Sequence, residues 1–132
     1  MATTGLIEYE QASPEVRAVY DDIRATRQTD FINNFWKGLA HNPAQLAATW
    51  EQVKSVMADG ALDPLTKEMI YIAVSVANGC EYCIHSHTAG ARAKGMTEAQ
   101  HAELLAVIGV AHMTNGLVTT LQTEVDDVFK VT

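Results

Sequence analysis

Val16, Val19, Tyr20 and Ile23 fall at i, i+3, i+4 and i+7, the spacing that lines one face of an α-helix. Ser13-Pro14-Glu15 stands just ahead of them, offering an N-cap, a proline for the first helical position and an acid for the first turn. The pattern therefore predicts a helix from Pro14 to about Arg27. Asn42-Pro43 repeats the signal before Leu46, Trp50, Val53 and Met57, the expected buried face of a helix ending near Asp59-Gly60. A shorter helical piece over Asn33–Ala40, with Phe35, Trp36 and Leu39, lies between the two. Asp63-Pro64 opens the next helix in the same way. Its interior, Met69–Ala77, is apolar and rich in β-branched residues, and alone could be a buried strand. The cap, the length to Asn78-Gly79 and the helical neighbours predict a fully buried helix instead.

After the Asn78-Gly79 turn, a helix is expected from about Cys80 to Lys94, closed by Gly95 in the left-handed C′ position. Thr97-Glu98-Ala99-Gln100 has the capping-box pattern and opens a helix through Leu104, Leu105 and Ile108. Gly109 is expected to bend or break it, with a last helix over roughly Thr114–Val128. No alternating stretch of strand length is bracketed by hairpin turns. The sequence thus reads as all-α: a single-domain helical bundle of six or seven helices over residues 13–132, preceded by a loosely held arm, residues 1–12.

Composition narrows the function. Of 132 residues, 48% are hydrophobic and 19% charged, with a net charge of −7 and a pI near 5.0. The nine Lys and Arg are scattered, which argues against nucleic acid and anionic membranes as partners. The apolar excess leaves surface that self-association could bury. The start of the chain has no basic segment and no apolar core of a signal peptide. The apolar stretches Met69–Ala77 and Leu104–Met113 fall short of the roughly 18–20 residues that span a bilayer. The expectation is a cytoplasmic protein, in a compartment where a C-x-x-C is more often catalytic or metal-binding than a structural staple.

That C-x-x-C is Cys80-Glu81-Tyr82-Cys83, holding the only two cysteines of the chain. His87 follows Cys83 by one helical turn, so the two share a face. Folding back at Asn78-Gly79 would bring Glu68 level with His87, within about 3 Å along the helix axis at roughly 1.5 Å rise per residue. Each residue then has a chemical task. A thiol in the first turn of a helix is acidified by the dipole and by free backbone N–H groups. His87 can take the proton of Cys83, and Glu68 can hold the imidazole and stabilise its charged form. Cys83 attacking a peroxide would become a sulfenic acid, which Cys80 resolves to a disulfide; an external dithiol restores both. The spacing thus supports a two-cysteine peroxidase or a disulfide reductase. Cys80, nearer the helix end, is the other candidate for first attack.

Other readings compete for the same residues. Zinc would need His87, His85 or Glu68 to complete a four-ligand set, and the thiols could instead be inert and buried. Glu68 could simply complement its helix dipole. Covalent haem is excluded because Ile84, not histidine, follows the second cysteine, and no βαβ pattern suggests thioredoxin. His85 falls on another helical face, pointing to a surface or interface role. His41, His101 and His112 read as structural or solvated, Trp36, Trp50 and the methionines as core, and Glu124-Val125-Asp126-Asp127 as a solvated face. Nothing selects Phe35 or Trp36 as a pocket wall.

Glu68, the C-x-x-C twelve residues on and then His87 resemble the active-site signature of the AhpD-like alkylhydroperoxidases, in the carboxymuconolactone decarboxylase superfamily. The resemblance is close over about Pro64–Thr97, including Ala91-Arg92-Ala93-Lys94-Gly95, and looser in the flanking helices. It implies an all-α domain assembled as a homo-trimer or hexamer with sites near subunit contacts. It also implies reduction of organic hydroperoxides by the dithiol, with an external dithiol, such as a lipoyl protein, as electron source and no cofactor or metal. By position it makes Cys83 peroxide-reactive, Cys80 resolving, and His87 and Glu68 a proton relay. The best-known peroxidases of the family have histidine between the cysteines, where this chain has Tyr82. The alternatives are a decarboxylase-type enzyme on a small organic acid, in which the thiols are incidental, and a non-enzymatic zinc-binding or redox-sensing module.

Overall fold

The computed structural model describes residues 2–131. Six α-helices carry the fold: α1 (Pro14–Arg27), α2 (Asn34–Leu39), α3 (Pro43–Met57), α4 (Pro64–Ala77), α5 (Glu81–Ala93) and α6 (Glu98–Leu121). Short 3-10 turns stand at Tyr9–Gln11 and Asp127–Phe129, and no strand occurs among the described residues. The all-α expectation holds. The starts fall where the caps place them, with side-chain oxygens of Ser13, Asn42, Asp63 and Thr97 accepting from the backbone N–H three residues on. At Thr97 the capping box is complete: Gln100 accepts from the Thr97 N–H at 2.9 Å.

The helices gather into two compact units, the chain dividing between Ala58 and Asp59. In the first, α1 to α3 enclose Val16, Tyr20, Ile23, Leu46, Trp36 and Trp50, with the two indoles edge to face at 5.5 Å. The stretch expected as a loosely held arm is anchored here. Tyr20 donates its hydroxyl to Ile7 O at 2.8 Å, the Ile7 N–H reaches Lys37 O, and Arg17 donates to Tyr9 O at 2.9 Å. Its backbone groups thus find partners that the local sequence does not reveal.

In the second unit, α4 turns back into α5 at Asn78-Gly79, with Gly79 at φ +66°, and α6 packs on α4. Its buried apolar residues are Ile72, Ala91, Met96 and Ile108. Here two expectations fail. Helix α4 is not fully buried: Ile70 and Val74 are about half exposed, and Tyr71 is also at the surface. Helix α6 is not broken by Gly109. It runs unbroken to Leu121, and the segment read as a separate last helix holds no α-helix beyond that residue. Glycine in a helix interior costs about 1 kcal/mol but removes no hydrogen bond, so a long apolar helix absorbs it. The chain leaves the helix at Gln122, in the left-handed conformation (φ +49°). The acidic run that follows is disfavoured at the negative end of a helix dipole.

The outer face of α6 is apolar, with Leu105, Val110, Met113, Leu117 and Leu121 each more than half exposed; Met113 is therefore not core. The uninterrupted run Leu104–Met113 is short, but the 24-residue helix as a whole is long and apolar enough, by length and composition, to cross a membrane.

Candidate active site

The α4–α5 turn places the sulfurs. Cys80 N–H donates to Ser75 O at 2.9 Å, which fixes the turn on the end of α4. Cys80 is the N-cap of α5, its sulfur accepting from the Cys83 N–H at 3.3 Å. The two cysteines are joined in a disulfide, with Cα atoms 5.3 Å apart. Both are partly accessible, at the positive end of the α5 dipole.

Glu68 projects from α4 and is buried, an unusual place for a carboxylate. It is fully partnered: Oε2 lies 2.7 Å from His87 Nδ1 and Oε1 accepts from Lys94 Nζ at 2.9 Å. Burial pushes its carboxyl up, but the hydrogen bonds from His87 and Lys94, with their charges, outweigh it and hold the pKa below its ordinary value. Facing a carboxylate, His87 Nδ1 carries the proton and donates it, which assigns Nε2 as the ring atom that can accept one. Thus Glu68 and His87 meet as the helical rise predicts. His87 lies one turn beyond Cys83 on the helix that the disulfide opens.

Three further residues shape the site and carry no assignment in the sequence reading. Tyr71 stacks on the His87 ring with centroids 3.6 Å apart and planes 19° apart, fixing the imidazole plane. Gly90 leaves room for the carboxylate: a Cβ there would stand 3.1 Å from Glu68 Oε1 and 3.3 Å from Oε2. Lys94 supplies the second cation. Their signal lies in register. Gly90 and Lys94 are three and seven residues after His87, on one stripe of α5, and Tyr71 is three after Glu68 on α4. His85 is exposed, and His41 Nε2 is bonded to Gly5 O at 2.8 Å. Among the described residues, no group of three or more His, Cys, Asp or Glu side chains converges as a metal site.

Comparison with known proteins bears on this arrangement. The model of the carboxymuconolactone decarboxylase family matches residues 43–122. The chain belongs to that family. Within it, a crystal structure described as the alkylhydroperoxidase AhpD core of Rhodospirillum rubrum is 64% identical, with a TM-score of 0.96 over 100% of this chain and 99% of that one. An alkyl hydroperoxide reductase AhpD of Solibacter usitatus is 33% identical over 74% of this chain and 55% of its own length. An uncharacterised protein of the cox locus of Paracoccus denitrificans is 46% identical over 39% of this chain and 47% of its own. The chain thus spans about half the length of these two relatives. Both the all-α fold and the AhpD-like resemblance stand on these matches.

Proposed function

We propose that the protein is a thiol-dependent peroxidase that reduces organic hydroperoxides through Cys80 and Cys83. The carrying observation is the buried Glu68–His87 pair set beside the dithiol turn. In the reduced protein His87 Nε2 takes the Cys83 proton. The Cys83 thiolate attacks the distal peroxide oxygen, forming an S–O bond as the O–O bond breaks; the alkoxide takes up a proton and leaves as an alcohol. Cys80 then attacks the sulfenic sulfur, releasing water and forming the disulfide. An external dithiol, of lipoyl type or similar, returns two electrons by exchange and becomes the disulfide itself. Glu68 keeps the imidazole in the tautomer that this sequence of proton transfers needs. Residues 13–132 act as one functional domain, and the setting is cytoplasmic.

The exposed apolar faces of α4 and α6 support a homo-oligomer, a trimer or hexamer, because an apolar surface this extensive is stable in water when a second copy covers it.

The test is to reduce the protein, remove the reductant and add one equivalent of an organic hydroperoxide. Loss of both thiols far faster than free cysteine reacts, with disulfide as product, is the expected result. Thiol loss at the rate of free cysteine would overturn the peroxidase reading. Retention of a decarboxylase-type activity by a variant with both cysteines replaced by serine would put the chemistry elsewhere.

A further inference from the structure

We infer that Lys94 is a positioning residue of this site: its ammonium holds Glu68 Oε1 so that Oε2 stays on His87. The inference rests on the relay proposed above and extends it by one residue that does not touch the reacting atoms.

The geometry carries it. Glu68 has two oxygens and meets two cations, one on each, at 2.7 and 2.9 Å. His87 and Lys94 lie on the same helix, two turns apart, and the carboxylate lies against the α5 backbone between them, in the gap left by Gly90. With both oxygens bonded, the carboxylate cannot rotate without breaking a charge-assisted hydrogen bond. Lys94 itself is held by its backbone. It is the C-cap of α5, followed by Gly95 at φ +95°, so the side chain starts from a fixed point and reaches back to α4. The Lys94 side chain is 39% exposed and that of Glu68 8%, so the site has a buried anion with one cation at the edge of solvent. The ionisable groups set against the carboxylate are His87 and Lys94 from α5, with Tyr71 of α4 stacked on the imidazole. Helix α6, also packed on α4, brings Glu98, His101 and Glu103 along its first turns, and Glu98 stands 3.7 Å from Arg92.

The direction of the effect follows. Without Lys94, the site loses one of the two cations that face the buried carboxylate, and Oε1 is released so that Glu68 can turn away from His87. With less positive charge set against the helix that carries the dithiol, a thiolate forms only at higher pH.

The measurement is the rate of alkylation of the reduced, full-length protein by iodoacetamide as a function of pH, with the modified cysteine identified by mass spectrometry. The proteins are wild type, Lys94→Gln, Lys94→Met, Lys94→Arg and Glu68→Gln, each checked for native helicity. The acidic limb is expected to move up by about 0.5 to 1 pH unit in K94Q and K94M and to return near wild type in K94R. A K94Q and K94M limb lying on that of wild type, while E68Q shifts it, would reduce Lys94 to a mere neutralising charge and overturn the inference with the relay intact. An E68Q limb that also stays in place would overturn the relay and the inference together.

Discussion

Each unit of the molecule has three α-helices, yet they solve different problems. The first encloses its own core: Val16, Tyr20, Ile23, Leu46 and Trp50 are all but inaccessible, and their polar atoms have partners, the Tyr20 hydroxyl donating to Ile7 O and Trp50 Nε1 to Asp22 at 2.6 Å. The second buries four apolar residues and leaves Ile70, Val74, Val110, Met113, Leu117 and Leu121 at its surface. It also spends a buried position of α4 on Glu68, where an apolar side chain would contribute to stability and a carboxylate must be compensated. Of the two, the unit that holds the candidate site is the one that leaves more of its helix faces apolar and exposed. A reactive site needs accessible sulfur and an ionised carboxylate, and both displace packing.

This contrast can be broken experimentally. Replacing Cys80 and Cys83 by serine should abolish hydroperoxide-dependent chemistry while circular dichroism and thermal unfolding stay near wild type, since the cysteines are not part of either core; a large loss of stability would show that the dithiol is structural. Glu68→Gln should slow thiol loss to peroxide by about 10²-fold, the scale of a removed acid/base partner. Leu46→Ala, by contrast, should destabilise the protein by about 3 kcal/mol, as for other fully buried leucines, and leave the thiol reaction of the folded protein unchanged. An effect of Leu46→Ala on that reaction, below its melting temperature, would dissolve the division of labour.

Leu117→Asp on α6 should shift the light-scattering mass toward that of one 14.4 kDa chain without altering α1 to α3. A monomeric wild type would remove the reason for this surface. The smallest effect is in pH. Because the pKa of Glu68 is depressed, its contribution to stability is complete above the ordinary carboxylate value of 4.5 and is lost as pH falls through the depressed value. Acid unfolding should therefore be shallower in Glu68→Gln, and parallel acid curves for the two proteins would contradict the depressed pKa.

Much of this was legible in the sequence because it is encoded locally. Ser13, Asn42, Asp63 and Thr97 announce helix starts through side chains that bond to their own next turn. The meeting of Glu68 with His87 follows from helical rise about the Asn78-Gly79 turn. What was not legible depends on partners distant in the chain or absent from it. The unbroken path of α6 through Gly109 depends on a helix long enough to carry a glycine. The anchoring of residues 5–12 depends on Lys37, Tyr20 and His41, none of them neighbours in sequence. Full burial of α4 was inferred from apolar residues all round it, a pattern that does not say whether the covering surface belongs to the same chain. Lys94 and Gly90 were missed because a lysine and a glycine near a helix C-terminus have an ordinary explanation as dipole and capping residues.

The α4–α5 hairpin also bears on how the protein is made. Every side chain of the site lies between residues 68 and 94, so the site closes over short sequence separations, the contacts that form fastest as a chain folds. During synthesis this stretch can form its pair of helices once Gly95 has emerged, while α6 is still to come. For that interval the dithiol would be present on a hairpin whose apolar side is open to water, so oxidation and assembly would compete for the same newborn segment.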